Sequence, residues 1–453
     1  MGNGLQLRQI CRPNVRLYLP AANSLIVSKN QEDVDAPQNP KLDLYLMGLN
    51  RMEAGQGEES VYRHAGLVAA AAVVVAAAAT SLHGSYWADT SKVASPSKSS
   101  DVARPSARPP TATLLEVELD GRKWRGMEFG RVSDLLLLLT QDGQIHRFVL
   151  GKQAKVRAVG QSFEPLNLRE LELGLREEFG PKFKTIRTAH YLICHNTHPN
   201  FARETADLVE QLYRTFTAYF GARGLGFSKP QFPMVVIVFD DEGQFRDYLA
   251  SAPGISTITN VTGIYSVYSN RIALFNAAGR EAEKYGDTRW HNLSTVIHEA
   301  THQIAFNSGC HHRFADTPAW LVEGLAMYFE TPDVQGQEIV WKSAGKMNRP
   351  RLDRFLKYQR KNRGQDSIVT LVQDDQRFRS DATVSDAYAE SWALTYFLVN
   401  RRMPQFLKYV KLVASKRSLE QDTPEERLAD FQNCFGSNLR LLDASFLRFV
   451  DEL

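Results

Sequence analysis

Cysteine is scarce in this chain. The four residues, Cys11, Cys194, Cys310 and Cys434, are scattered, and no two form a CxxC pair. That argues against a zinc site built from cysteines. Three of them lie in the C-terminal two thirds, where at most one disulfide can form, and the spacing leaves its identity open. An excess of one charge is lacking too. With 54 Lys and Arg against 51 Asp and Glu, the net charge is +3, and there is no long basic run. Nucleic acid is therefore not an expected partner. The long apolar run of a membrane-spanning helix is also missing. The nearest approach is Leu67 to Ala79, built of Leu, Val and Ala only, which is short for a span. What remains is ordinary globular composition, 43% hydrophobic and 23% charged over 453 residues, with room for two or three domains.

The chain divides by composition. Residues 1–64 show no sustained periodicity and are expected to be poorly ordered. Residues 65–80 hold the apolar run, preceded by Arg63 and His64 and ending in small residues at Ala77-Ala78-Ala79. This fits the core of a secretory signal read from a later start at Met47 or Met52, or an uncleaved membrane tether. The expected location is extracytoplasmic: secreted, periplasmic or membrane-anchored. Residues 81–112 are a Ser/Pro-rich linker. In residues 113–160, Leu115, Val117 and Leu119 alternate into Asp120-Gly121, and Leu135 to Thr140 runs into Asp142-Gly143. Asp-Gly between strands signals tight hairpins. The spacing predicts a small SH3-like β-barrel as an accessory domain. Residues 161–453 form the main domain.

In that domain α/β alternation comes first. Asn200 to Phe220 is predicted as an amphipathic helix, Phe232 to Phe239 as a buried central strand, and Val261 to Val267 with Arg271 to Phe275 as a hairpin turning at Ser269-Asn270. The polar stretch Gly279 to Trp290 reads as a surface loop or a flap. Then comes His298-Glu299-Ala300-Thr301-His302 on a predicted helix from Asn292 to Ser308, with Asn292 or Ser294 as N-cap and Gly309 as stop. Two histidines four apart on a helix point the same way and can hold one metal ion. The adjoining glutamate can act as general base. A third histidine six residues after His302 is ruled out, because Ser308 stands there.

A further ligand is needed. Thr317-Pro318 predicts a helix start, followed by Ala319 to Glu330. Glu323 lies in its apolar part, where a carboxylate is costly unless paired or metal-bound. Glu330, at the helix end, reads as solvated, and Asp316 is the rival ligand. His311 and His312 read as an ordinary loop pair, with a place behind the ligands or at the transition state as the alternative. The remainder is mainly helical, over Leu352 to Lys361, Asp386 to Asn400, Pro404 to Ser415, Pro424 to Cys434 and Ala444 to Glu452, with a capping box at Thr423-Pro424-Glu425-Glu426.

Together, His298-Glu299-x-x-His302 and Trp320-Leu321-Val322-Glu323-Gly324-Leu325-Ala326-Met327-Tyr328 resemble the gluzincin zinc peptidases. The stretch from about Leu168 onward is similar to a bacterial family of unknown function whose members look like exported peptidases of that kind. The resemblance implies an α+β fold: an α/β N-lobe with an edge strand, the HExxH helix, and a mostly α-helical C-lobe. It implies Zn²⁺ held by His298, His302 and Glu323, and Glu299 as base. It places an extended peptide or protein substrate along Ile272, Ala273, Leu274 and Phe275, the strand before the metal helix. It offers Tyr388 as hydrogen-bond donor to the oxyanion, with Glu390 near it. Two departures stand out. Arg271 to Asn276 lacks the Gly-x-Met-Glu-Asn box of aminopeptidases, which favours an endopeptidase. Met327 occupies the place of the Asp that in thermolysin-like members follows the ligand Glu by four. The expected activity is thus a zinc metallopeptidase. The alternatives are a non-catalytic peptide-binding protein on the same scaffold, or a zinc hydrolase of non-peptide or cell-wall amide bonds.

Overall fold

Two Asp-Gly turns shape the first layer. Gly121 and Gly143 adopt φ of +74° and +86°, a region open to glycine at no steric cost. They lie in the links of an antiparallel sheet made of β1 (Thr113–Leu119), β2 (Arg122–Val132), β3 (Leu135–Thr140), β4 (Ile145–Val149) and β5 (Lys155–Ser162), in the order β4-β3-β2-β1-β5. This is a computed structural model that describes residues 113–151, 154–255, 261–277, 286–331, 333–335, 338–340 and 345–453. The predicted segments 1–64 and 65–80 and the linker 81–112 lie outside the described residues, as does the first half of the polar stretch before the metal helix. No described helix is long and apolar enough to cross a membrane.

Among the described residues the small sheet is open rather than the closed barrel that its hairpins predict. β4 and β5 are its two ends and do not pair. The outer edge of β4 has another use. Ile145 donates its N–H to the Tyr268 carbonyl at 2.7 Å, and the Gly143 carbonyl accepts from Arg313 Nη1 at 2.9 Å. The edge that closure would need is thus docked on the main domain. β3 serves both sides: Leu136 and Leu138 pack with Val117 and Phe148, while Leu137 and Leu139 join the main core.

The main sheet is mixed. Its strands are β6 (Lys184–Arg187), β7 (Tyr191–His195), β8 (Met234–Phe239), β9 (Gly263–Ser266) and β10 (Arg271–Phe275), in the order β6-β7-β8-β10-β9. β8 is buried at all six positions, as its unbroken apolar run predicts for a central strand. Helices α1 (Leu168–Phe179), α2 (Pro199–Gly221) and α3 (Glu242–Ser251) connect the strands, and α2 buries Leu208, Val209, Leu212, Phe216 and Phe220. The β9–β10 hairpin forms as expected, with Asn270 at φ +58° in its turn.

The hairpin corrects one expectation. β10 is an interior strand, parallel to β8 on one side and antiparallel to β9 on the other. Ile272, Ala273, Leu274 and Phe275 are buried with both backbone edges paired, so they cannot take an extended substrate. The outer strand on that side is β9, because the tight turn folds it back along the flank of β10.

Helix α4 (Gly286–Ser308) begins before Asn292. Asn292 is therefore no cap. Its side chain bonds Asn276 Oδ1 at 2.8 Å and accepts from the Ala277 amide at 3.2 Å, tying the helix to the end of β10. Gly309 ends the helix at φ +88°, as expected. α5 (Ala319–Phe329) has Pro318 as N-cap, not Thr317. Its first amide, from Ala319, donates instead to Asp375 Oδ1 at 3.0 Å. Asp375 shares the buried Arg427 with Asp316, which also accepts from the Asp422 amide. The rival metal ligand is thus committed to holding the chain together.

The short hairpin of β11 (Asp333–Gln335) and β12 (Glu338–Val340) precedes α6 (Arg349–Lys361), α7 (Ser367–Val372), α8 (Val384–Arg401), α9 (Met403–Ala414), α10 (Pro424–Phe435) and α11 (Leu439–Asp451). The Thr423–Glu426 capping box forms in both directions. Glu390 lies in an ion-pair network with Arg363, Arg377 and Ser367, so its neighbours are structural. α5 lies tightly on α8. A Cβ on Gly324 would stand 2.1 Å from Thr395 Oγ1 and 2.7 Å from the Ser391 carbonyl.

Gly324→Ala is therefore expected to lose about 1–3 kcal/mol of stability, as overpacking does. Gly174→Ala, at an exposed α1 position with nothing within 4 Å, should gain about 0.5–1 kcal/mol. Denaturant unfolding of the two variants checks the contrast. Equal midpoints would show that the α5–α8 approach is not tight.

Candidate metal centre

The site begins with a helical period. His298 and His302 share one face of α4, with ring centroids 4.7 Å apart. α5 packs across that face and brings in Glu323. Its Oε2 lies 3.3 Å from His298 Nε2 and 3.8 Å from His302 Nε2. One donor atom from each of the three falls within 4.8 Å of the others. All three side chains are buried, at 1% exposure or less.

None of these three atoms makes a hydrogen bond. Buried polar atoms without partners are rare and need an explanation. Here they converge on one point. A tetrahedral ion with ligand bonds of about 2.0–2.2 Å sets its donors roughly 3.3–3.6 Å apart, close to the 3.3 and 3.8 Å between Glu323 Oε2 and the two imidazole nitrogens. His₂Glu is a donor set that suits zinc and leaves a fourth position open. The residues therefore fit a metal ion, and the geometry matches the set expected from the sequence.

Glu299 stands beside the donors. Its Oε2 accepts the N–H of Tyr265, in β9, at 2.7 Å, and its Oε1 has no partner. The outer strand of the sheet thus grips the side chain next to the metal position. Tyr265 stacks on Phe306 at 5.7 Å, and Phe306 meets the His311 ring at 5.2 Å. His311 is buried rather than an ordinary loop residue, and neither ring nitrogen has a partner. His312 is exposed.

Glu330 corrects a second expectation. It is buried, not solvated. Its Oε1 faces His298 Nδ1 at 3.6 Å, and its Oε2 accepts from Asn348 Nδ2 at 2.9 Å and lies 4.0 Å from Arg351 Nε. Tyr388 is buried on α8 against Phe378, with the Arg351 guanidinium 5.8 Å over its ring. Arg351 thus stands between the Tyr388 ring and the Glu330 carboxylate. Ile272, Ala273, Leu274 and Phe275 stay inside the sheet.

The protein's own groups make this a proton-loaded place. Burial opposes charge on His298, but Glu323, Glu330 and Glu299 overcome it and hold its pKa up at about 10. Burial raises Glu299 to about 7, with the His298 charge and the Tyr265 amide pulling the other way. Glu323 is also raised by burial. His302 is pushed well below its ordinary value by burial and by neighbouring His298. Burial likewise takes His311 down to about 4, leaving it neutral. For Glu330 burial is outweighed by His298, Arg351 and Asn348, which hold it low.

Tyr265, Asn348, Arg351 and Glu330 were not legible as site residues. Glu330 carried one signal: it follows Glu323 by two helical turns and so shares its face. The others come from distant segments. Residues 292–420 match the model of a family described as a protein of unknown function, DUF1570. The match spans all three donor residues and Glu299. A search of curated proteins finds no match.

A metal must displace the proton that these carboxylates hold on His298. Because that proton stays until about pH 10, apparent zinc affinity should rise with pH through neutrality. Near pH 7, between one and two protons should be released per ion bound, because Glu299 is half protonated there, and the count should rise below pH 7. Titration calorimetry in two buffers of different ionisation enthalpy counts these protons. Zero release at pH 7 would mean that the ion does not enter at His298.

Proposed function

We propose that this protein is a zinc-dependent hydrolase, most simply a metallopeptidase of gluzincin type that cleaves peptide bonds within a chain. The observation that carries the reading is the convergence of three buried, unpartnered donors beside a buried carboxylate whose pKa lies at about 7. Charge supports it. Glu299, Glu323 and Glu330 bring three negative charges, and Arg351, which acts on both Glu323 and Glu330, brings one positive. With the His298 proton displaced and Glu299 ionised, as metal binding requires, the sum is −3 + 1 = −2. A divalent cation makes this buried cluster neutral, which removes most of the cost of burying unpaired charge.

His298, His302 and Glu323 would hold the zinc. When bound, zinc lowers the pKa of water to about 7 and polarises a carbonyl. Glu299 takes a proton from the attacking water as its oxygen bonds to the carbonyl carbon. Glu299 then gives that proton to the amine nitrogen as the C–N bond breaks. A pKa near neutrality suits a group that must both accept and donate. The Tyr265 amide holds the carboxylate in place for both steps. Tyr388 is proposed to hydrogen-bond the developing oxyanion. The proposed substrate is a peptide or protein chain.

Glu299→Gln should keep zinc and the fold but lose at least about 10²-fold in rate. Glu323→Ala should lose the metal. The checks are zinc content by atomic absorption and product analysis on casein, peptide and cell-wall fragment libraries. A Gln variant that cleaves a confirmed substrate at the parental rate would falsify the mechanism. Products from wall fragments alone would shift the reading to amide bonds outside peptides.

A further inference from the structure

We infer that Glu330 is the positioning carboxylate of the metal ligand His298, and that Asn348 holds Glu330 in that place. The inference rests on the reading of His298, His302 and Glu323 as a metal site. His298 turns its Nε2 toward Glu323 and His302. An imidazole that offers Nε2 to a metal carries its hydrogen on Nδ1, and a buried N–H requires an acceptor. The Nδ1 atom is buried and makes no hydrogen bond. The carboxylate that faces it is Glu330, with Oε1 at 3.6 Å. That is an ion-pair separation, slightly beyond hydrogen-bond range.

The helix explains how one element reaches both nitrogens. Glu323 and Glu330 are seven residues apart on α5, two turns along one face. Glu323 stands at the Nε2 side of His298 and Glu330 at the Nδ1 side. Met327, between them on the helix, is apolar and buried, so Glu330 is the carboxylate this segment offers to Nδ1.

Asn348 has two tasks. Its Oδ1 accepts the Arg351 amide at 3.3 Å and caps α6, while its Nδ2 donates to Glu330 Oε2 at 2.9 Å. The start of α6 and the end of α5 are thereby joined at the carboxylate. Arg351, one turn into α6, adds its guanidinium on the same oxygen. Glu330 is therefore held at Oε2, which leaves Oε1 turned toward His298.

The test is zinc affinity of the full chain, measured by competition with a chromogenic chelator, beside the visible spectrum of the cobalt-substituted protein. Glu330→Gln should bind zinc about 10–100-fold more weakly and change the cobalt spectrum. Glu330→Asp should recover part of the loss. Asn348→Asp keeps the acceptor that caps α6 but loses the donor to Glu330. It should weaken zinc in the same direction, which a purely structural cap would not. Should Glu330→Gln fail to fold, Asn348→Asp carries the test. Parental zinc affinity in both variants, with Glu323→Ala still losing the metal, overturns this inference alone. A parent that takes up no added zinc overturns the metal site and the inference together.

Discussion

The structure turns on the cost of keeping charge away from water. Three carboxylates, two imidazoles and a guanidinium are buried within one cluster, where an isolated ion would be heavily penalised. Such a cluster persists only when each group faces a partner. Glu299 has the Tyr265 amide, Glu330 has Asn348 and Arg351, and the donor atoms of His298, His302 and Glu323 have each other's vicinity and a position for a cation. A dication at the centre satisfies geometry and neutrality at once. The proposed chemistry would follow from the same constraint, since the burial that raises Glu299 to about 7 suits a group that passes a proton at neutral pH.

The scaffold keeps the two donor helices at a fixed separation. α4 is tied to β10 through Asn292 and Asn276, and its exit loop is pinned by Arg313. That arginine donates to the carbonyls of Val267, Tyr268 and Gly143. The last of these belongs to the small sheet, so the accessory layer buttresses the segment between α4 and α5. α5 is fixed from the other side. Gly324 permits close contact with α8, and the Arg427 hub joins Asp316, before α5, to Asp375, which caps it. Removing Arg427 would leave two carboxylates buried and unpaired.

Contacts local in sequence were read well. The spacing of His298 and His302, the α2 stripe from Leu208 to Phe220, the buried run of β8 and the Thr423 capping box depend on residues within a turn or two of one another. Sequence expectation and structure part where a distant segment decides the outcome. Thr317 has good N-cap chemistry, yet Asp375 caps α5 from outside. Glu330 looked like an exposed helix end because Asn348 and Arg351, which bury and pair it, follow only after the β11–β12 hairpin. The hairpin at Ser269-Asn270 was correct, but its strand order was not, so Ile272 to Phe275 proved interior and β9 became the outer strand.

By itself, then, the sequence determined the donors on α4 and their partner Glu323 on α5, because helical period and the cost of an acid in an apolar helix are local facts. It also determined the alternation of strands and helices ahead of them. Tertiary structure alone decided that Glu323 meets the two histidines, that the β9 amide grips Glu299, that Glu330 turns to the far side of His298, and that the small sheet stays open. Each depends on which surfaces meet, and burial and charge pairing are properties of those surfaces, not of any stretch of chain.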